Sequence, residues 1–387
     1  MNQPDDSNSI QRARKKVKVG SARVVSSLLA SVTLVGAVSL GVLWKLVDGV
    51  AQSVTPIASS TELKSLSAPI INARRNPQTL SQDVRFRTLR SQLTALGNRL
   101  PTDSCLIVDI EGQRIISVNA DAALLPASNM KLVVAMVALD VLTPEFVFST
   151  SLVGKVNGNA IEGDAYLIGG GDPLLVTGNY PVTEPYPTFN FTRFENLFDA
   201  LRSQGITQIR GSIVGDESRY DAERFSPSLG LGIKGTEVGP LGALMVNDGV
   251  ITGNPIKPDN PALGAATEFT NTLQNNGISV TGTPKVGTAP QDLSVIAKIN
   301  SLPLSDIVAE MLTNSDNNTS ELLVKELGFA TTGVGSREAG LEVMKAKLVE
   351  WGIPLDALTF VDGSGLDRGN RLSCSSLSAL LAKDGGF

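Results

Sequence analysis

Leu124-Leu125-Pro126-Ala127-Ser128-Asn129-Met130-Lys131 leads into Leu132-Val133-Val134-Ala135-Met136-Val137-Ala138-Leu139, eight residues without a charge. Their apolar positions lie all round a helix instead of along one stripe. Such a helix has no polar face to give to water, so it has to run through the middle of a domain. Pro126 suits a helix start, which puts Ser128 in the first turn, near the positive end of the dipole. Lys131 lies three residues on and shares that face. Burial at the base of so apolar a helix favours the neutral amine, and a neutral amine can take a proton from a hydroxyl. The alternative is a chance Ser-x-x-Lys with a lysine snorkelling to the surface. The motif occurs once in the chain.

The 387 residues contain no histidine. That removes Ser-His-Asp and Cys-His catalysis, histidine metal sites and imidazole pH switches. A serine nucleophile here needs lysine, a carboxylate or an amine as its base. Cys105 and Cys374 are too few and too far apart to read as a zinc site or a disulfide framework. Cys105, in Cys105-Leu106-Ile107-Val108, reads as a buried core residue. The net charge is −5, with no basic block outside the first 23 positions, which argues against nucleic-acid binding.

Residues 1–23 are polar and basic, and Val24 to Trp44 then runs without a charge as far as Lys45. That length spans a bilayer, and its basic flank stays cytoplasmic. Gly49-Val50-Ala51 is a poor cleavage site, so 24–44 reads as an uncleaved transmembrane signal anchor. Residues 45–80 read as a linker. A helix is expected from Ser81 to Leu100, then strands Ser104–Ile110 and Arg114–Val118 in a hairpin. From about 150 to 295 the texture changes to short strands and glycine-rich turns. Gly169-Gly170-Gly171-Asp172-Pro173 lacks the helix and Lys-Ser/Thr pair of a phosphate loop and reads as a tight turn. Phe191–Gln204 and Ala265–Asn275 are expected as helices, Ile209–Val214 and Ile278–Val280 as strands, so this part reads as one α/β insertion. Residues 296–387 return to helical periodicity. Leu304–Asn314 is a helix, Asn314–Asn318 a polar loop, and Leu322-Leu323-Val324-Lys325 opens a helix lasting to Glu326 or Leu327. Glu338–Trp351 is another. Phe360–Arg371 is a long glycine-rich loop, readable as a surface connection or as the wall of a cleft.

Ser315-Asp316-Asn317 means little alone, but it stands beside Ser128-x-x-Lys131 in a histidine-free chain. That pairing marks penicillin-binding proteins and class A β-lactamases. Ser128 Oγ would attack an acyl carbon and Lys131 accept its proton. Ser315 would relay that proton to the leaving amine, and Asn317 would hold the substrate amide.

The wider sequence resembles the S13 peptidase family, the D-alanyl-D-alanine carboxypeptidase/endopeptidase group of low-molecular-mass penicillin-binding proteins. The likeness covers most of residues 80–387. It rests on Pro126–Leu132, Gly169–Pro173, Gly215–Asp221, Leu241–Asp248, Ser315–Asn317 and Asp362-Gly363-Ser364-Gly365-Leu366. It implies an α/β (α+β) fold, a transpeptidase/β-lactamase-like domain with a helical lobe and a mixed sheet. That domain would comprise 81–149 and 296–387, split by the inserted domain 150–295. Such enzymes carry a Lys-Thr/Ser-Gly strand after the Asp-Gly-Ser-Gly loop. This sequence has neither tripeptide, and Lys234-Gly235-Thr236 has the wrong order. On that count residues 296–387 are expected to be an incomplete second part. The resemblance further implies an anchored serine peptidase at the outer face of the bacterial plasma or inner membrane. Peptidoglycan stem peptides would be its substrates and β-lactams its covalent inhibitors, with no metal or organic cofactor. A catalytically silent cell-wall binding protein and a Ser-Lys esterase or β-lactamase are the alternatives.

Overall fold

Helix α1 spans Pro77–Gly97. The computed structural model describes Lys45 and residues 77–383 apart from 179, 181–186 and 255. The expected span 24–44 lies outside the described residues, among which no helix is long and apolar enough to cross a membrane. Of the expected α1 stripe, Phe86, Leu89 and Leu93 are half-buried, whereas Val84 and Leu96 are 62% and 50% exposed. The helix therefore rests on a narrow seam, pinned where Arg90 Nε donates to the Ile115 carbonyl at 3.0 Å.

Strands β1 (Leu106–Ile110) and β2 (Gln113–Val118) form an antiparallel hairpin. Its two turn residues, Glu111 and Gly112, both have positive φ, the backbone a right-twisted two-residue hairpin requires. One 3-10 turn (Ala127–Asn129) then leads into α2 (Met130–Leu142). As its composition demands, α2 is enclosed: Met130, Lys131, Val133, Val134, Ala135, Val137, Ala138 and Leu142 are buried.

The chain next enters a seven-stranded sheet. β3 (Ser149–Asn157) and β4 (Ala160–Ile168) pair antiparallel at its centre. A small parallel pair lies apart, β5 (Leu175–Val176) with β6 (Thr192–Arg193). It shortens the expected helix Phe191–Gln204 to α3 (Glu195–Ser203), because Thr192 and Arg193 give their backbone groups to a strand ladder. The expected strand Ile209–Val214 is two, β7 (Gln208–Ile209) and β8 (Ile213–Asp216), both parallel to β4. The break falls where Gly211 crosses Gly163: a Cβ on Gly211 would lie 2.3 Å from the Gly163 carbonyl carbon. Helix α4 (Pro261–Asn275), β9 (Ser279–Val280), β10 (Lys285–Val286) and β11 (Ser294–Asn300) complete this part, with β11 antiparallel to β3. Gly169 and Gly170 form no helix. A Cβ on Gly170 would lie 2.1 Å from the Ser149 carbonyl oxygen, so close backbone approach explains the glycine.

Four helices close the fold: α5 (Leu304–Asn314), α6 (Asn317–Thr332), α7 (Arg337–Glu350) and α8 (Cys374–Leu381). Helix α6 starts five residues before the expected Leu322, because Asp316 caps it by accepting from the Asn318 and Thr319 N–H groups. Cys105 and Cys374 correct the sequence reading. They form a disulfide with Cα atoms 6.1 Å apart, and Cys105 is half-buried. The packing of α8 against β1 erases a sequence separation of 269 residues.

Two large apolar clusters result. One gathers α2 with residues of α5, α6 and α7, with Leu372 and with Leu380 of α8. The other fills the seven-stranded sheet against α3 and α4. A third, with Tyr220, Leu241, Met245 and Leu322, lies beside α6.

Candidate active site

Three segments converge on one amine. Lys131 is the second residue of α2 and only 1% exposed. Its Nζ lies 2.7 Å from Asn317 Oδ1, 2.9 Å from the Ser364 carbonyl and 3.2 Å from Ser128 Oγ. Ser315 Oγ donates to Ser128 Oγ at 3.0 Å. Ser128, Lys131, Ser315 and Asn317, the residues singled out in the sequence, therefore share one site.

The local folding explains the aim of each group. Ser315 closes α5 in the left-handed region, at φ 56° and ψ 40°. That reversal turns its side chain towards Ser128, and Asp316 then restarts the chain as the cap of α6. Asn317 is the first residue of α6. Its amide is oriented by its partners, since Nδ2 donates to the Glu237 carbonyl at 2.8 Å and Oδ1 faces the lysine. Ala127, just before the nucleophile, also has positive φ, 47°. Gly365 lies against it, where a Cβ would fall 1.8 Å from the Ala127 carbonyl oxygen.

Burial pushes the Lys131 ammonium down from 10.5 to about 8, against the opposing pull of Asp316, Glu321 and Asp362. The N-terminal ends of α2 and α6 act in the same direction as burial, since a helix start disfavours a cation. Asp316 is pushed up to about 7 by burial and by Asp248, and Glu321 to about 7 by burial and by Asp362. A neutral lysine amine has two N–H bonds and one lone pair. Asn317 Oδ1 and the Ser364 carbonyl are acceptors, so they take the two N–H bonds. The lone pair is left for the Ser128 hydroxyl.

Ser128 opens onto a cleft of about 770 Å³ lined by Ser315, Asn317, Leu366 and, from the stretch between α2 and α5, Glu237 and Asp248. The loop Phe360–Arg371 is thus a cleft wall. Sequence reasoning missed Glu237, Asp248 and the Ser364 carbonyl. Two of these act through or beside the backbone, which leaves no side-chain signature. Asp248 stands in the stretch Leu241–Asp248 noted in the sequence, but without a role at the site; Asn247-Asp248-Gly249 there holds three consecutive positive φ angles. Asp248 Oδ1 accepts from Asn318 Nδ2 at 2.9 Å, and Asn318 Oδ1 accepts from the Gly239 N–H at 2.7 Å. Those bonds tie the start of α6 to the stretch 237–249. Among the described residues no cluster of three or more acidic or cysteine side chains could hold a metal ion.

Fold and site together define a histidine-free centre in which a serine hydroxyl lies within hydrogen-bond distance of a buried lysine amine. The chain belongs to the D-Ala-D-Ala carboxypeptidase 3 (S13) family, whose profile matches residues 95–258 and 241–385. It is 27% identical over 350 residues to the D-alanyl-D-alanine carboxypeptidase of an Actinomadura species, covering 71% of this chain and 62% of that one. It is also 27% identical over 281 residues to carboxypeptidase Rv3627c of Mycobacterium tuberculosis, covering 72% and 59%. The chain thus spans about three fifths of the length of these curated relatives. Among solved structures, penicillin binding protein 4 (dacB) from Haemophilus influenzae shares the mixed α/β fold. The TM-score is 0.61 at 21% identity, over 74% of this chain and 77% of that one.

The geometry fixes a titration. The 13C resonance of the Lys131 methylene next to Nζ, assigned by its loss in Lys131→Arg, should titrate near pH 8. A midpoint at the ordinary 10.5 would show that burial does not neutralise this amine.

Proposed function

We propose that the chain is a serine-type D-Ala-D-Ala carboxypeptidase/endopeptidase acting on peptidoglycan stem peptides through an acyl-enzyme on Ser128. The observation that carries this reading is the three-way cradle of Lys131, whose Nζ lies within hydrogen-bond distance of Ser128 Oγ, Asn317 Oδ1 and the Ser364 carbonyl. Ser128 Oγ attacks the carbonyl carbon of the penultimate D-alanine as its proton passes to Lys131 Nζ. The Ser128 backbone N–H, at the helix start, serves the developing oxyanion. The proton moves from Lys131 through Ser315 Oγ to the leaving nitrogen, the C–N bond breaks, and an ester remains on Ser128. Water then attacks the ester with Lys131 as base, releasing the shortened peptide. A β-lactam would open on Ser128 by the same first step and stay attached as the ester. None of these steps calls for a metal or organic cofactor.

In the free protein the Asn317 amide is held by Lys131 and the Glu237 carbonyl, so Asn317 braces the base before it meets substrate. We read 81–149 and 296–387 as one transpeptidase-like domain split by the insertion 150–295. The two large apolar clusters support that: one unites α2 with α5–α7 and takes Leu174 from the insertion, the other runs from Leu152 to Ile299.

The test is release of D-alanine from a peptide ending in D-Ala-D-Ala. Ser128→Ala and Lys131→Ala should each lower the rate by about 10³-fold or more, and the double variant should lose little further, because the two act as one unit. Lys131→Arg should fail as well, since a guanidinium cannot act as base. Substantial turnover in Lys131→Arg would rule out Lys131 as the base.

We also infer that residues 24–44 anchor the protein, with 45–387 outside the cytoplasm. The basic segment before Val24 supports this, as does the Cys105–Cys374 disulfide, which suits an oxidising compartment. A reporter fused after residue 80 should be active only if it works outside the cytoplasm. Activity of a cytoplasm-only reporter there would contradict this topology.

A further inference from the structure

Glu321 is a buried carboxylate, 4% exposed, that the chemistry above does not use. It lies on α6, one turn beyond Asn317, and among the described residues it enters no ion pair. Its Oε1 accepts from the Gly363 N–H at 3.0 Å and from the Ser364 N–H at 2.7 Å. Beside it, Ser320 Oγ donates to the Gly363 carbonyl at 2.8 Å. Helix α6 thus holds the peptide units on both sides of Gly363, and the next carbonyl, that of Ser364, receives the Lys131 N–H at 2.9 Å. The loop has no slack at its glycines. A Cβ on Gly363 would lie 2.5 Å from Val324 Cγ2, and one on Gly365 would meet the Ala127 carbonyl oxygen.

We propose that Glu321 is a positioning residue for Lys131: through the Gly363 and Ser364 N–H groups it fixes the Ser364 carbonyl that orients the amine. This rests on the reading of Lys131 as the base. An uncharged acceptor would satisfy two N–H groups at lower desolvation cost, so the retention of a carboxylate needs a reason beyond hydrogen bonding. The nearby cation supplies one. Burial drives Lys131 towards the neutral form, and Glu321 pulls the other way alongside Asp316 and Asp362. A base pushed too far down could no longer take the serine proton. The other charged groups facing this shell are Asp367 on the same loop, which acts on Asp362, and Arg337 of α7, which Glu223 pairs at 2.7 Å.

Two variants separate anchor from charge. Glu321→Gln keeps an Oε1 acceptor for both N–H groups and removes the charge. Glu321→Ala removes both. The Lys131 titration, read by NMR without substrate, should move to lower pH in Glu321→Gln, and the pH profile of Ser128 acylation should follow it. Glu321→Ala should lose acylation by about 10²-fold, the usual penalty for a misplaced catalytic group, and Glu321→Gln should recover much of that. Equal acylation in Glu321→Ala and wild type would overturn the proposal, as would a Lys131 midpoint unmoved in both variants. A wild-type chain that fails to acylate would defeat the functional reading alone, because the titration still decides the role of Glu321.

Discussion

The structure depends on the burial of one lysine amine among three oxygens. Taking Lys131 out of water lowers its proton affinity from 10.5 to about 8, a differential of roughly 3 kcal/mol against the charged form. Three carboxylates resist that shift, and desolvation wins. The outcome is an amine that is partly neutral near physiological pH, with both N–H bonds assigned to fixed acceptors. Its remaining lone pair has one neighbour, Ser128 Oγ. The wholly apolar α2 is what makes the burial possible, so the feature that fixes the fold also fixes the chemistry.

The acceptors come from places far apart in the chain, and strained backbone brings them together. Ser315 and Ala127 both hold left-handed conformations that ordinary residues avoid, at a cost of order 1 kcal/mol or more each. Both are held by their surroundings. Asp316 caps α6 immediately after Ser315, and Gly365 fits against Ala127 where no other residue could. The stretch between α2 and α5 contributes too, because the Glu237 carbonyl orients the Asn317 amide and Asp248 grips Asn318. It is part of the site's wall.

Much of this was legible in the sequence because it rests on local pattern. The charge-free run after Lys131 announced a buried helix, and Ser128, Lys131, Ser315 and Asn317 carry their chemistry in their side chains. What stayed hidden was set by distant backbone. The Cys105–Cys374 pair depends on α8 packing against β1, which no spacing rule contains. The interruption between β7 and β8 follows from the crossing of Gly211 and Gly163. The roles of the Ser364 carbonyl and its anchor Glu321 are invisible to motif reading, since a carbonyl has no residue type and a glutamate on a helix that also carries Lys325 and Glu326 reads as an ordinary charge.

The central claim is that the buried amine makes Ser128, of all the serines in the chain, a nucleophile towards acyl donors. The most direct measurement is peptide mapping by mass spectrometry after incubation with a penicillin. The account predicts one covalent adduct, on the peptide containing Ser128, absent when Lys131→Arg is treated identically. An adduct on another residue, or one that forms equally well in Lys131→Arg, would contradict it.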